Sequence, residues 1–350
     1  MVSTTGRGLA LRHFAETALS DTDLTIDVAS ADASFRSYWL VTGAHGTRIV
    51  MDAPPDKEDL GPWLDIGMRL RAAGLHAPEV FAVDRARGFV LMEDLGLRTY
   101  LPELDEATVD GLYGDALDAL LRMQTRVDTQ GLQRFDRAQL VTEMALLPPW
   151  FLQRHLGLAP RPDELAVVDD AFAFIAHAAD DQPQAFMHRD YHSRNLLIVD
   201  ADSSDSGTTV LHSPGIIDFQ GAFIGPVTYD LASLLRDCYI EWNSVRVDTW
   251  MENHRLRLRD EGLIGGEVDI MRFRRWFDLI GLQRHLKVLG IFCRLWYRDG
   301  KVQYLADLPL VWRYVVGVAS RYPELSAFVA LLQRARAGRD LTRSRHESGP

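Results

Sequence analysis

The stretch "FMHRDYHSRNLLIVD", Phe186 to Asp200, concentrates side chains that can do chemistry. His188 and His192 stand four apart, a spacing that puts two zinc ligands on one face of a helix. Zinc chemistry of that kind needs a helix and a glutamate after the first histidine. Arg189 stands there instead, and the following "NLLIV" is β-prone. A second spacing runs through the same residues: His188, Arg189 and Asp190, then Asn195, in the pattern H-R-D-x-x-x-x-N. A polar connection leads from it to "GIIDFQ", which carries Asp218. A carboxylate at Asp190 can orient an acceptor hydroxyl and take its proton. Asn195, at the end of the same short loop, can turn back toward a metal ion on phosphates. Asp218, at the end of an adjacent strand, brings a second oxygen ligand. Mg²⁺ takes one or two carboxylates with phosphate oxygens and water, and Asn195 and Asp218 supply that set.

This order of motifs resembles the catalytic loop and D-F-G segment of protein kinases, with His188 as a scaffold of the loop. The next segment, "GPVTYDLASLLRD", sharpens the resemblance. A D-F-x segment followed by a Tyr-Asp-Leu-Ala helix is similar to the aminoglycoside phosphotransferase-like family of small-molecule kinases. The resemblance implies that Asp230 supports the loop through hydrogen bonds and is not a reactant. "DASFRSYWLV", "IVMDAPPDKED", "FVLMEDLG", "LQRHLKVLGIFCRLWYRDGK" and "YLADLPLVWRYV" extend it over nearly the whole chain. They resemble the bacterial anomeric amino-sugar kinases, which phosphorylate the C1 hydroxyl of N-acetylmuramate and N-acetylglucosamine in peptidoglycan recycling. Implied are a bilobal α+β protein-kinase-like fold, with a small β-rich N-terminal lobe carrying one helix and a larger, mainly helical C-terminal lobe. ATP as co-substrate, Mg²⁺, an N-acetylated amino sugar and a monomeric state are implied with it.

The elements that must hold these residues can be read from pattern. "SFRSYWLVT" and "TRIVMDA" are β-prone runs around the turn "GAHG" and predict a hairpin. Leu60, Leu64 and Met68 recur every four residues and predict a helix closed by Gly74. "PEVFAVD" and "GFVLMED" predict two more strands, so the front reads β–β–α–β–β. A helix is expected over about 105–124 on Val109, Leu112, Ala116, Leu117, Leu120 and Leu121. The pair Pro148–Pro149 interrupts the next apolar helix. A helix over about 164–179, the short strands "NLLIV" and "GIIDF", and helices from about 229 to 337 follow. The lobes are expected at 1–95, binding nucleotide, and 96–350, carrying catalysis and substrate. The connection 200–214 is expected to be exposed, and the tail 338–350 disordered.

In the nucleotide lobe, the backbone N–H groups of Ser34, Phe35 and Arg36 are candidates to approach the phosphates, with charge added by Arg36. The hairpin has no glycine-rich loop. The strand position that carries a lysine in protein kinases holds Met51 or Asp52, with Arg48 and Lys57 nearby, so no residue is assigned to that role. By resemblance, main-chain groups of Glu93, Asp94 and Leu95 read adenine. Candidate sugar contacts are Glu143 with Trp150, then Tyr191 and His192 beside the base. Arg284, His285 and Lys287 are cations in an apolar helix, set either to meet the lactyl carboxylate of N-acetylmuramate or to bridge helices.

Composition bounds the rest. The 350 residues carry a net charge of −11, with 47% hydrophobic and 25% charged residues. That balance argues against a nucleic-acid partner, which needs Lys and Arg to neutralise phosphates. No apolar run reaches membrane-helix length and no signal-type apolar region opens the chain, so a cytoplasmic location and no membrane partner are expected. Cys238 and Cys293 are expected as buried free thiols. Two rivals remain: a kinase of another small alcohol, cationic like an aminoglycoside or choline, whose acceptor would need carboxylates such as Asp237 and Glu241; and a pseudokinase, suggested by the missing lysine.

Overall fold

The computed structural model describes residues 6–31, 35–44, 46–199 and 213–345. The chain divides into two compact units, one of residues 1–122 and 194–221, the other of residues 123–193 and 222–350. The expected boundary after residue 95 closes the last strand of the first sheet. The first unit takes in more: it continues to residue 122 and recovers the segment that carries Asn195 and Asp218.

In the first unit, α1 (Gly6–Leu19) precedes β1 (Thr25–Ala31), β2 (Ser37–Gly43), β3 (Gly46–Asp52), α2 (Leu60–Ala72), β4 (Val80–Asp84) and β5 (Phe89–Glu93). The strands form an antiparallel sheet in the order β1-β2-β3-β5-β4. The predicted hairpin is β2–β3: Gly43 pairs with Gly46, and Gly46 takes a φ of +81°, which a tight turn requires and glycine adopts without a Cβ penalty. Two elements exceed the expectation of one helix and four strands. α1 has little amphipathic pattern, yet Leu11, Phe14 and Ala15 pack on Ile26, Val41, Val50, Phe89 and Leu91. β1 alternates polar and apolar residues in "TIDVASA", too weakly to stand out from a loop.

α2 forms where predicted. Asp59 caps it by accepting from the Gly61 N–H at 2.8 Å, and Gly74 follows its end at φ +75°. Its buried face differs from the predicted stripe. Leu60, Trp63, Ile66, Gly67 and Leu70 face inward, while Met68 is 65% exposed. A spacing of three and four residues sets the face, whereas the four-residue repeat drifts off it. α3 (Tyr100–Glu103) and α4 (Val109–Arg126) follow. Of the expected later strands, only Leu196–Leu197 and Gly215–Ile216 form an antiparallel pair. Residues 200–212, most of the connection between them, lie outside the described residues.

The second unit is helical: α5 (Arg137–Met144), a π-helical segment Leu147–His155, α6 (Pro162–His177), α7 (Tyr229–Leu235), α8 (Ser244–Asp260), α9 (Ile270–Tyr297), α10 (Leu308–Ala319) and α11 (Ser326–Arg336). Pro148 and Pro149 sit in the first turn of the π-helical segment, where a missing N–H costs no helical bond. One strand pair, Gln184–Met187 with Phe223–Pro226, enters this unit. α9 runs through its core, with Leu282, Leu286, Leu289 and Cys293 against residues of α6, α10 and the π-helical segment. Cys238 and Cys293 are buried free thiols. The tail is ordered further than expected. Leu341 is 2% exposed, its carbonyl lies 3.0 Å from the buried His155 Nε2, and the Arg345 N–H donates to the Tyr297 hydroxyl at 3.0 Å. An apolar residue and two hydrogen bonds hold the segment down, and residues 346–350 lie outside the described residues. Among the described residues no helix is long and apolar enough to cross a membrane.

Candidate active site

In the second unit the loop after strand Gln184–Met187 begins at His188. Asp230, in the first turn of α7, accepts from the backbone N–H of His188 at 2.6 Å and of Arg189 at 3.0 Å. These bonds hold Arg189 at φ +77°, a left-handed conformation unfavourable for a side chain with a Cβ. Burial pushes the Asp230 carboxyl up to about 7, against the pull of the two N–H bonds, and the nearby negative charge of Asp190 adds to the rise. Asp230 is 1% exposed and belongs to the scaffold. The far end of the loop is fixed similarly: Asp237 accepts from the Ser193 N–H at 3.0 Å and its hydroxyl at 2.5 Å. Asp190 therefore sits in a segment pinned at both ends by buried carboxylates.

The charge environment of Asp190 is set by side chains of its own loop and of α9. Burial alone would raise its carboxyl. The charges of Lys287, His192, Arg284 and Arg189 outweigh that and hold it down at about 2. Lys287 and Arg284, one turn apart on α9, are both buried. The Lys287 ammonium donates to Glu143 Oε1 at 3.0 Å, and the Arg189 guanidinium donates to the same oxygen at 2.6 Å. Arg189 also lies over the rings of Phe135 and Phe223, at 5.4 and 5.1 Å. Arg284 donates to the Cys238 sulfur at 3.1 Å. Of the cations singled out in α9, Lys287 joins that helix to α5 through Glu143, which also accepts from Arg189. What results is an ionised, partly exposed carboxylate held by buried positive charge.

Some acceptor expectations change. Tyr191 has no exposed surface, and its ring meets His188 edge-on at a centroid distance of 5.7 Å, so it is a core residue of the loop and not a sugar contact. His192 is 9% exposed and packs edge-on against Tyr239. His285 is fully buried, stacked on Tyr314 at 4.8 Å, with Nε2 at 2.9 Å from the Arg236 carbonyl. The two carboxylates a cationic acceptor would need are committed, Asp237 to Ser193 and Glu241 to Arg313 at 2.6 Å.

The first unit holds a cleft of about 260 Å³. Tyr38 of β2, Ile49 of β3, Met92 and Leu97 give it apolar walls, and Asn195 and Asp218 line it as well. The Ile217 N–H donates to the Asn195 carbonyl at 3.2 Å, which ties the Asn195 and Asp218 segments together. Asp218 stands at φ +61°, a second left-handed non-glycine residue. Gln220 Nε2 donates to its Oδ1 at 2.7 Å. Phe219 is fully buried, 5.4 Å from the Trp63 ring of α2. One carboxylate and one amide oxygen on a common cleft suit Mg²⁺ that also takes phosphate oxygens and water. Among the described residues no three His, Cys, Asp or Glu side chains are grouped to hold a metal by themselves.

Asp94 and Leu95 line the cleft. Glu93 lines it too, with its N–H and its carboxylate engaged. Its N–H donates to the Glu79 carbonyl at 2.8 Å, and its carboxylate meets His76 at 2.9 Å and the Glu79 N–H at 3.0 Å. Burial would raise that carboxyl, and these partners together with Arg71 lower it. Ser34 lies outside the described residues. Phe35 departs from its expected role: its N–H donates to Glu58 Oε1 at 3.2 Å, and a phosphate placed there would face that carboxylate. Arg36 is 8% exposed and reaches 3.7 Å from Asp218. Sequence reasoning missed Gln220 and Ser193. A polar residue right after D-F was the available signal for the first; nothing in the local sequence marked the second.

These parts find their counterparts among known proteins. Residues 25–273 match the model of the phosphotransferase enzyme family, APH. N-acetylmuramate/N-acetylglucosamine kinase of Pseudomonas putida is 38% identical over 90% of this chain and 89% of its own. That of Pseudomonas aeruginosa is 40% identical over 87% and 86%, and that of Neisseria meningitidis serogroup B 34% over 93% and 95%. Solved structures share the protein-kinase-like fold at low identity. The ADP-bound aminoglycoside phosphotransferase APH(2'')-Ib superposes with a TM-score of 0.56 at 13% identity, over 87% of this chain and 97% of its own. An ethanolamine kinase of Plasmodium vivax gives 0.60 at 10%, over 88% and 87%. With a family match over most of its length, carrying both the pinned Asp190 loop and the Asp218 segment, the chain belongs to the phosphotransferase enzyme family.

Proposed function

We propose that the chain is an ATP-dependent kinase that transfers the γ-phosphoryl group to the anomeric C1 hydroxyl of N-acetylmuramate and N-acetylglucosamine, in the service of peptidoglycan recycling. The observation that carries this reading is Asp190: a carboxylate kept ionised by four cationic side chains, on a loop anchored by Asp230 and Asp237. The relatives at 34–40% identity, named for these two sugars, support the acceptor.

In this reading the nucleotide occupies the cleft of the first unit, with adenine read by main-chain groups of Asp94 and Leu95. Asn195 and Asp218 would hold Mg²⁺, which neutralises charge on the phosphates when bound. Asp190 accepts a hydrogen bond from the C1 hydroxyl and takes its proton as the new bond forms between the C1 oxygen and the γ-phosphorus. The bond from that phosphorus to the β-phosphate oxygen breaks, and ADP leaves. Transfer of this type is loose in its transition state, so positioning and charge neutralisation supply most of the rate. A hemiacetal hydroxyl is more acidic than an ordinary alcohol and matches a weak base such as Asp190.

ADP release, followed with Mg·ATP and a panel of acceptors, tests the proposal. Turnover is expected with N-acetylglucosamine and N-acetylmuramate, and a kcat/KM at least about a hundredfold lower with choline and aminoglycosides, because the two carboxylates a cation would need, Asp237 and Glu241, already have partners. Preference for the cationic alcohols would overturn the sugar assignment. Nucleotide binding without turnover on any acceptor would favour a pseudokinase.

A further inference from the structure

The lysine expected on the third strand of the nucleotide sheet is absent, and the structure shows what stands in its place. Ile49 and Tyr38 both line the cleft, and Tyr38 pairs with Met51 across the β2–β3 hairpin. Side chains alternate along a strand, so Met51, two residues after Ile49, occupies the inward position further along β3. It is fully buried and uncharged. Arg36 stands immediately before β2, two residues before Tyr38, and reaches toward Asp218, which lines the cleft. Its guanidinium is almost wholly buried and lies 3.7 Å from Asp218 Oδ1.

Several other basic side chains near this sheet have partners elsewhere. Arg7 pairs with Asp52, at the end of β3. Arg48 lies 4.7 Å over the Phe81 ring. Lys57 is 3.7 Å from Asp56, and Arg71 meets Glu79 and Glu93. The helix partner of a strand lysine is missing too. α2 contains no glutamate, and its one acidic residue, Asp65, accepts from Arg69 at 3.0 Å. α2 meets the D-F-Q segment through packing instead. Trp63 contacts Phe219, and a Cβ added at Gly67 would come within 3.2 Å of the Phe219 ring.

We propose that Arg36 does the work of the missing strand lysine from the start of the neighbouring strand, one residue before β2: it grips the nucleotide's polyphosphate while holding Asp218, and α2 is coupled to the site by the Trp63–Phe219–Gly67 packing and not by an ion pair. This rests on the kinase reading above. A guanidinium suits the double task. It has five N–H donors in a fixed fork, so it can meet a carboxylate with one edge and phosphate oxygens with another. A lysine ammonium also has three donors, but on one rotating nitrogen with no fixed fork to present two separate edges.

Nucleotide titration by calorimetry, with no acceptor present, tests this apart from turnover. In Arg36→Ala, Kd for ATP and ADP is expected to rise at least about tenfold, the loss of a charge-assisted contact to phosphate. Kd for adenosine, which has no phosphate, is expected to stay within about twofold, and Arg36→Lys to recover part of the ATP affinity. Unchanged ATP affinity in Arg36→Ala would overturn the inference. So would equal losses for ATP and adenosine, which mark a merely structural role. Failure of the unaltered chain to bind ATP would sink the kinase reading itself, a different result from either.

Discussion

Asp190→Asn is expected to lower kcat by about 10³-fold while Kd for Mg·ATP changes less than about threefold. The substitution keeps shape and removes the charge that takes the hydroxyl proton. It spares the cleft of the first unit, to which Asp190 does not belong. Initial-rate kinetics combined with nucleotide titration separate the two effects. The pH profile adds an independent reading. The carboxyl is held at about 2, because the charges of Lys287, His192, Arg284 and Arg189 outweigh the effect of burial. The base is therefore already ionised near neutrality, and no ionisation between about pH 5 and 8 should trace to it. An acid limb in that range that disappears in Asp190→Asn would contradict the electrostatics described here.

Asp218→Asn is expected to cost about 10²–10³-fold in kcat with a matching rise in the Mg²⁺ needed for half-maximal rate. Asparagine tolerates the φ of +61° that Asp218 adopts, so the fold should survive. Asp218→Ala adds backbone strain, on the order of 1 kcal/mol, and confuses chemistry with stability. Thermal unfolding should leave the asparagine variant within a few degrees of the unaltered chain. A variant that keeps its Mg²⁺ requirement and most of its rate would remove Asp218 from the metal site.

Both residues were legible in the sequence, because their signal is local. H-R-D-x-x-x-x-N fits within eight residues, D-F-Q within three, and Asp230 follows at a short, characteristic distance. Other features depend on what the fold brings alongside. Arg284 and Lys287 stood out as cations in an apolar helix, but only α5 and α7 decide that Lys287 meets Glu143 and sits near Tyr229. Tyr191, next to the base in sequence, points into the core, since one residue step in a tight loop can reverse a side chain's direction. Glu93 stood in the sequence only as a main-chain contact implied by resemblance; its side-chain partners His76 and Glu79 lie 17 and 14 residues away and left no trace in the pattern. α1 and β1 escaped because each is amphipathic only against the finished sheet. The missing lysine was visible as a gap in β3, while the cation proposed in its place, Arg36, stands just before β2, and its approach to Asp218 rather than motif spacing points to it.

The central claim is that a phosphoryl group moves from ATP to the anomeric oxygen of an N-acetylated amino sugar under the control of Asp190. ³¹P NMR of the product formed from N-acetylglucosamine and N-acetylmuramate tests it most directly. The phosphorus resonance is expected to couple to the anomeric proton of each sugar and to be absent, over the same interval, with Asp190→Asn. A resonance coupled to the C6 protons, or the same product formed at an undiminished rate by the variant, would contradict it.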